Sequence, residues 1–127
     1  MRPIRLLLVD DIERVRAALR TMLQCEPDFE VVGEAGDGET AMKLARQASP
    51  DVILLDLALP RIDGIEVIRR LRREGCEAHV VVLTLYGGLR EEAAEAGADL
   101  FLEKGISPDE LLAALENTTA AGRVDSE

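Results

Sequence analysis

Residues 51–60 read Asp-Val-Ile-Leu-Leu-Asp-Leu-Ala-Leu-Pro, and this stretch decides how the rest of the chain is interpreted. Aliphatic side chains run without a break from Val52 to Leu55 and lead directly to the carboxylate of Asp56. A short continuous apolar run after a Ser-Pro pair is typical of a strand buried on both faces. Asp56 then lies at the carboxyl end of that strand, the edge where open α/β sheets bind ligands. The alternative is that Asp56 only caps the following turn.

The composition fits one globular domain with an aliphatic core and an acidic surface. The chain has 127 residues, 47% of them apolar, and a formal net charge of −10. This charge argues against nucleic-acid binding by this segment and against binding to anionic membranes, because both need an excess of Lys and Arg. No apolar run approaches the length of a membrane span, and Cys25 and Cys76 lack the spacing of a metal site. We therefore expect a cytoplasmic protein with reduced thiols.

Strands and helices are predicted to alternate along the chain. Apolar runs predict strands at residues 4–9, 29–32, 52–55, 80–83 and 100–102, and a helical pattern follows each of them. Because the connections are short, the strands should form a parallel sheet with helices on both faces. The expected fold class is α/β, a flavodoxin-like, doubly wound (βα)5 fold with strand order 2-1-3-4-5. In that order a crevice opens between the first and third strands, where their acidic ends would meet.

The helix starts carry capping signals. The expected caps are Asp11 or a neighbour for the first helix, Asp37 for the second, Asp63 for the third and Ser107 for the fifth. Glu66 and Glu110 stand three residues after two of these caps, which is the spacing of a capping box.

Chemically useful side chains follow four of the predicted strands. They are Asp10 and Asp11 after the first strand, Asp56 after the third, Thr84 after the fourth and Lys104 after the fifth. Three carboxylates that converge at one sheet edge repel one another, and a hard divalent cation such as Mg²⁺ relieves that repulsion. Asp11 and Asp56 could ligate the ion directly, and Asp10 could act through water.

Taken together, these residues suit a phosphoryl group. The cation and the ammonium of Lys104 would neutralise phosphoryl oxygens, and the hydroxyl of Thr84 would donate to a third oxygen. An Asp can also be the attacking nucleophile and form an aspartyl phosphate. Simpler interpretations exist for each residue: Asp10-Asp11 as a helix cap, Thr84 as an ordinary strand end, and Lys104 as a solvated surface residue.

The motifs at these positions resemble the receiver domain of two-component response regulators. They are Val9-Asp10-Asp11, Leu55 to Pro60 with Asp63-Gly64, Leu83-Thr84, and Gly97-Ala98-Asp99 continuing through Phe101 to Lys104. The resemblance implies a receiver domain at residues 1–120 and a tail or the start of a linker at 121–127. The Leu-Pro-x-x-Asp-Gly and Gly-Ala-Asp-x-Phe-Leu patterns are similar to those of NarL/LuxR-type regulators with a LuxR-type DNA-binding domain. The chain would be a stand-alone receiver or a fragment of a longer regulator.

The resemblance implies a phosphorylation site. Asp56 would accept a phosphoryl group from a phosphohistidine on a sensor histidine kinase or a phosphotransfer protein. Mg²⁺ would be held by Asp10, Asp11, Asp56 and the backbone carbonyl of Ala58. Thr84 and Lys104 would contact the phosphoryl oxygens. The chain would be no enzyme beyond its own phosphotransfer and slow autodephosphorylation.

The resemblance also implies a conformational switch. Phe101 matches the aromatic switch position of the family, and its rotamer would follow Thr84 as Thr84 moves toward the phosphate. A role for Phe101 in the core is compatible with this one. The readout surface would be the fourth helix, the fifth strand and the fifth helix, through which the domain would bind a partner or a second copy of itself.

Three residues beside the site bear on access to it and on phosphate lifetime. The residue after Thr84 is usually small in the family, and the bulkier Leu85 could crowd access to Asp56 and slow phosphotransfer. Ala58 and Tyr86 occupy positions that tune phosphate lifetime, since they flank the path of an attacking water. Ala58 cannot orient that water and Tyr86 would shield the site, so we expect slow self-dephosphorylation. Tyr86 could instead be a partly exposed loop aromatic.

Three other functions share parts of this pattern. A haloacid-dehalogenase-like phosphatase also uses Asp, Mg²⁺, Thr and Lys, but its DxD motif is replaced here by Asp10-Asp11-Ile12-Glu13. A flavin binder of the same topology would need a Ser/Thr/Gly-rich loop where two carboxylates stand. A receiver that no longer accepts phosphate, owing to Leu85, would act only as a protein-binding module.

Overall fold

Five parallel strands form one sheet with the predicted order 2-1-3-4-5. This computed structural model describes the backbone of residues 2–126 and the side chains of residues 2–119. The strands are β1 (Ile4–Val9), β2 (Phe29–Ala35), β3 (Val52–Leu55), β4 (His79–Thr84) and β5 (Leu100–Glu103). The helices are α1 (Glu13–Gln24), α2 (Gly38–Ala48), α3 (Gly64–Arg73), α4 (Arg90–Ala96) and α5 (Pro108–Ser126), and a 3-10 turn at Gly87–Leu89 precedes α4.

The core has two layers, one on each face of the sheet. On one face the strands pack against α2, α3 and α4, through residues such as Ala41, Ile68 and Ala93. On the other face they pack against α1 and α5, through Leu23 and Leu115. This doubly wound arrangement is the flavodoxin-like α/β fold that the alternation of strands and helices predicts.

Strand β3 contributes to both layers of the core. Ile53 and Leu55 belong to the layer under α2, α3 and α4, whereas Val52 and Leu54 belong to the opposite layer. None of these side chains is more than 2% exposed. Full burial of one such aliphatic side chain stabilises the fold by about 1.5–3 kcal/mol. The prediction of a strand buried on both faces is confirmed.

Most of the expected helix caps are present. The carboxylate of Asp37 accepts from the N–H of Thr40 at 2.8 Å, and Asp63 accepts from the N–H of Glu66 at 3.0 Å. Ser107 and Glu110 form the full capping box, because the Ser107 hydroxyl accepts from the Glu110 N–H and the Glu110 carboxylate accepts from the Ser107 N–H.

Two cap predictions are wrong. Glu66 does not complete a box with Asp63 among the described contacts, because its carboxylate binds Arg70 and Arg73 instead. Helix α1 follows Ile12 as its cap residue, with no side-chain cap bond among the described residues. Asp11 therefore does not cap α1.

Strand β2 is longer than the sequence pattern predicts. It extends to Ala35, where it pairs with Val9, because Leu6 pairs with Val31 and Leu7 with Gly33, which leaves Val32 as an extra residue in β2. Gly33 and Glu34 conceal this extension in the sequence, since neither residue favours a strand. Helix α5 is assigned to Ser126, but the side chains from residue 120 onward lie outside the described part, so the domain boundary at 120 stays a prediction. In the part of the chain that the structure describes, no helix is both long and apolar enough to cross a membrane.

Candidate functional site

The ends of β1 and β3 bring two aspartates side by side. These strands are neighbours in the sheet, with Val9 paired to Leu55, and the N–H of Asp56 donates to the carbonyl of Val9 at 2.9 Å. Asp10 and Asp56 are the next residues along each strand, and both are buried, at 3% and 5% exposure. The crevice predicted between the first and third strands therefore carries the acidic pair.

Lys104 joins the two aspartates from the far side of the site. Its ammonium lies 2.9 Å from Oδ2 of Asp10 and 3.1 Å from Oδ2 of Asp56. The backbone N–H of Lys104 donates to the carbonyl of Thr84 at 2.8 Å, which fixes the backbone just after β5. Burial on its own would lower the pKa of Lys104, but the hydrogen bonds and charges of Asp10 and Asp56 outweigh burial and raise the pKa above its usual range.

Three carboxylates form a set that fits a hard cation. One carboxylate oxygen from each of Asp10, Asp11 and Asp56 lies within 4.8 Å of the other two. Asp11 is exposed and accepts no hydrogen bond among the described residues, so its oxygens are free for an ion that arrives from solvent. Lys104 contacts the carboxylates of Asp10 and Asp56 and makes no described contact with that of Asp11, so the set keeps an excess of negative charge. All-oxygen donors with this charge are the ligands that Mg²⁺ prefers.

Ala58 and Thr84, which are expected beside the phosphoryl group, each take part in a hydrogen bond with a backbone N–H group. The N–H of Ala58 donates to Oδ1 of Asp56 at 3.3 Å, which fixes the first turn after β3 around the carboxylate. Thr84 is fully buried, and its hydroxyl oxygen accepts from the N–H of Tyr86 at 3.3 Å. The hydroxyl proton of Thr84 has no acceptor among the described residues, and its role as a donor to a phosphoryl oxygen stays a prediction.

Phe101 is a core residue whose ring faces the guanidinium of Arg90. Its side chain is buried within the layer under α3 and α4. The guanidinium of Arg90 lies 4.7 Å from the ring centroid, and Arg90 also donates to the carbonyl of Phe101 at 3.3 Å. The interpretation of Phe101 as a core residue is confirmed, and its role as a switch stays a prediction.

Leu85 and Tyr86 are exposed residues that directly follow the buried Thr84. Leu85 is 71% exposed and Tyr86 is 54% exposed. Both follow Thr84 in the connection between β4 and α4. The placement of Tyr86 as an exposed loop aromatic is confirmed, while the influence of either side chain on phosphate lifetime or access remains to be measured.

Two arginines with structural contacts were missed by reasoning from the sequence, Arg16 beside the acidic crevice and Arg72 at the opposite edge of the sheet. Arg16 on α1 donates to the backbone carbonyl of Asp10, and Arg72 on α3 donates to Asp99 and to several backbone carbonyls. Both residues lie outside the apolar face of their helices. A charged residue at such a position is usually exposed to solvent. No local signal distinguishes them from their exposed neighbours, because their acceptors are distant in the sequence.

A concavity lined by residues such as Ser49, Cys76 and His79 lies away from this site. Its volume is about 890 Å³, and it opens at the opposite edge of the sheet, beside Cys76 and His79. Its charged rim is already paired, since Arg2 binds Asp51 and Arg46 binds Glu74 at 2.9 Å each. None of the residues that line this concavity belongs to the acidic crevice.

Comparisons with known proteins agree with this geometry. The family model described as the response regulator receiver domain matches residues 6–116. The nitrate/nitrite response regulator protein NarP of Escherichia coli is 38% identical over 127 residues, which cover 98% of this chain and 59% of NarP. The chain thus spans a little over half the length of this curated relative.

Solved structures give the same result. A LuxR-family two-component response regulator from Aurantimonas sp. superposes with a TM-score of 0.88 at 35% identity, over 94% of this chain and 86% of that one. The response regulator domain of Thermotoga maritima CheB superposes with a TM-score of 0.87 at 31% identity, over 94% of this chain and 98% of that domain.

Proposed function

The chain belongs to the receiver domains of NarL/LuxR-type response regulators, and on that premise we propose that it is a Mg²⁺-dependent switch phosphorylated on Asp56. One observation carries the proposal. The ammonium of Lys104 bridges Asp10 and Asp56 at 2.9 and 3.1 Å, and Asp11 lies within reach of the same point. A nucleophile, a cation site and a phosphoryl-binding ammonium therefore share one small space.

The reaction is phosphoryl transfer from a phosphohistidine to Asp56. A carboxylate oxygen of Asp56 attacks phosphorus, the P–N bond to the imidazole breaks, and the electron pair of that bond remains on the imidazole nitrogen. Mg²⁺, held by Asp10, Asp11, Asp56 and the carbonyl of Ala58, would supply charge neutralisation for the phosphoryl oxygens. Asp56 is already oriented for attack, because Ala58 donates to one of its oxygens and Lys104 to the other.

Lys104 and Thr84 would hold the product. The ammonium of Lys104 contacts Oδ2 of Asp56 and Oδ2 of Asp10. After phosphorylation of Asp56, the ammonium would contact a phosphoryl oxygen in place of Asp56 and keep its bond to Asp10. The buried hydroxyl of Thr84 has a free proton to donate. These contacts resemble the charge-assisted hydrogen bonds with which proteins usually stabilise phosphoryl groups.

The signal would leave the site through Thr84 and Phe101. Thr84 pairs with Glu103 across β4 and β5, and Phe101 pairs with Val82 in the same ladder, so a shift of Thr84 is felt directly by β5. The surface formed by α4, β5 and α5 would then bind a partner protein or a second copy of this chain. We propose a sensor histidine kinase or a phosphotransfer protein as the phosphoryl donor in the cytoplasm, and no direct contact of this segment with nucleic acid.

Acetyl phosphate with MgCl₂ tests the assignment of Asp56. We expect one phosphoryl adduct by intact mass in the wild type and none in Asp56→Asn. Asp63→Asn is a matched control, because it removes another carboxylate from the same connection while Asn keeps the helix cap; its adduct should match the wild type. A phosphoryl adduct that persists in Asp56→Asn would overturn the assignment.

The same experiment separates the alternative functions. A wild-type chain that takes up no phosphoryl group would support a receiver that acts only as a protein-binding module. Sustained release of nitrophenol from p-nitrophenyl phosphate would instead indicate a phosphatase of the haloacid-dehalogenase type. We expect one adduct for each chain and no multiple turnover, because a long-lived acyl phosphate blocks the nucleophile.

A further inference from the structure

Arg16 contacts the backbone of the acidic crevice from helix α1. Its guanidinium donates to the carbonyl oxygen of Asp10, while the N–H of Asp10 donates to the carbonyl of Ala35 at 3.1 Å. Both backbone groups of Asp10 are therefore fixed, one by β2 and one by Arg16. The carbonyl held by Arg16 belongs to the peptide bond that leads into Asp11.

The position of Arg16 is itself built by three surrounding residues. Its Nε is buried and has no hydrogen-bond partner among the described residues, although Oε1 of Glu34 lies 3.4 Å away. Arg20 binds the other carboxylate oxygen of Glu34. At Gly36 a Cβ would lie 3.2 Å from Nη1 of Arg16, so the guanidinium packs tightly against the backbone of Gly36. The Arg16 side chain is 17% exposed, and Glu34 balances its charge while Asp10 accepts from its guanidinium.

We propose that Arg16 is a positioning residue that orients Asp11 for Mg²⁺; the inference rests on the proposed Mg²⁺ site. Asp11 is exposed and accepts no hydrogen bond among the described residues, so the position of its backbone limits where its carboxylate can reach. Arg16 fixes that backbone through the carbonyl of Asp10. Residues that orient metal ligands in this way typically change metal affinity by about 10–100-fold when they are removed.

The direction in which Mg²⁺ affinity changes when Arg16 is replaced distinguishes a positioning role from an effect of its charge. Arg16 brings a positive charge close to the carboxylates that would hold Mg²⁺. If charge alone mattered, replacing Arg16 with a neutral residue would tighten Mg²⁺ binding, because like charges repel. If Arg16 positions Asp11, the same replacement weakens Mg²⁺ binding.

The experiment is a titration of the ¹⁵N-labelled chain with MgCl₂, followed by the amide shifts of Ile12 and Ala58. These N–H groups donate to the carboxylates of Asp10 and Asp56, at 2.9 and 3.3 Å, and report directly on the site. We expect Arg16→Met to raise the Kd for Mg²⁺ about tenfold. Arg20→Met is the matched control, since Arg20 shares Glu34 with Arg16 and makes no described contact with Asp10; its Kd should stay within about twofold of the wild type.

Two further variants keep the test decisive if Arg16→Met does not fold. Arg16→Lys keeps the charge but loses the planar fork of the guanidinium. Gly36→Ala keeps the charge of Arg16 and adds a Cβ 3.2 Å from its Nη1, so the guanidinium must shift slightly from its place beside Asp10. Both should raise the Kd, by less than Arg16→Met does. A Kd for the Arg16 variants equal to or lower than that of Arg20→Met would overturn the positioning role while leaving the Mg²⁺ site intact. A wild type that binds no Mg²⁺ would overturn both proposals.

Discussion

Lys104 places its ammonium 2.9 Å from Oδ2 of Asp10, although 94 positions of the chain separate the two residues. Lys104 follows β5 and Asp10 follows β1, and these strands are separated in the sheet by β3 and β4. The contact therefore exists only when the whole sheet is assembled. It couples the stability of the fold to the same charges that would serve the phosphoryl group.

We expect Lys104→Met to lower the free energy of unfolding by about 2 kcal/mol at pH 7 without Mg²⁺, because Asp10 and Asp56 would face each other without a cation. Added MgCl₂ should restore part of that loss, since an ion that binds only the folded chain stabilises it. Urea unfolding followed by circular dichroism checks both effects. Lys43→Met on the exposed face of α2 is the control and should change the stability by less than about 0.5 kcal/mol. Equal losses in the two variants would contradict the prediction.

Alkaline pH should remove the advantage of the wild type over Lys104→Met. The pKa of Lys104 in the folded chain is raised above its usual value of 10.5, against the effect of burial, by Asp10 and Asp56. A raised pKa stabilises the fold fully below the unfolded value, and this stabilisation is lost as pH rises through the folded value. The difference in unfolding free energy should therefore stay constant from pH 7 to about pH 10 and shrink above about pH 10.5. A difference that falls already between pH 7 and 9 would assign the effect to another group.

The sequence predicts those parts of the fold that depend on local pattern and on general topology. β3 is recognisable from a run of four aliphatic residues, and Asp56 follows from the rule that parallel strands present their carboxyl ends at one edge. The joint spacing of Asp10, Asp56 and Lys104 then identifies the site. By contrast, the extension of β2 through Gly33 depends on a register shift in its pairing with β1, which no local pattern encodes.

The arginine contacts could not be predicted for a different physical reason. Arg16 and Arg72 donate to backbone carbonyls, and every residue carries one, so the identity of the acceptor gives no signal in the sequence. Arg72 also stands among Arg69, Arg70 and Arg73, which are exposed on the same helix. Only the three-dimensional arrangement distinguishes it from them.

Arg72→Met should destabilise the chain by about 2–3 kcal/mol. Its guanidinium donates to the carbonyls of Cys76, Ala78 and Gly97 and to the carboxylate of Asp99. These bonds join the connection between α3 and β4 to the connection between α4 and β5. Urea unfolding measures the loss. Arg73→Met is the control, because its ion pair with Glu66 is exposed and should contribute less than about 1 kcal/mol. A loss in Arg73→Met as large as that in Arg72→Met would refute the distinction.

Asp37→Ala should lower the stability by about 1 kcal/mol at neutral pH through loss of the α2 cap. The hydrogen bond from the Thr40 N–H lowers the pKa of Asp37 below its usual 3.8. A lowered pKa stabilises the fold above the unfolded value, and this stabilisation is lost as pH falls through the folded value. The gap between the wild type and Asp37→Ala should therefore close only below about pH 3.8. Asp37→Asn keeps a capping oxygen and should remain close to the wild type at neutral pH.

Gly64→Ala should perturb the site and the fold together. A Cβ at Gly64 would lie 2.6 Å from Cα of Leu57 and 2.9 Å from the carbonyl oxygen of Asp56, so the backbone after β3 would have to move. We expect a loss of about 2 kcal/mol, the usual cost of forcing an extra methyl group into a packed site. Gly88→Ala is the matched control, because a Cβ there meets no atom within 4 Å. Phosphorylation by acetyl phosphate should slow in Gly64→Ala and not in Gly88→Ala, since only the first displaces the backbone that carries Asp56; equal rates would show that the connection tolerates the shift.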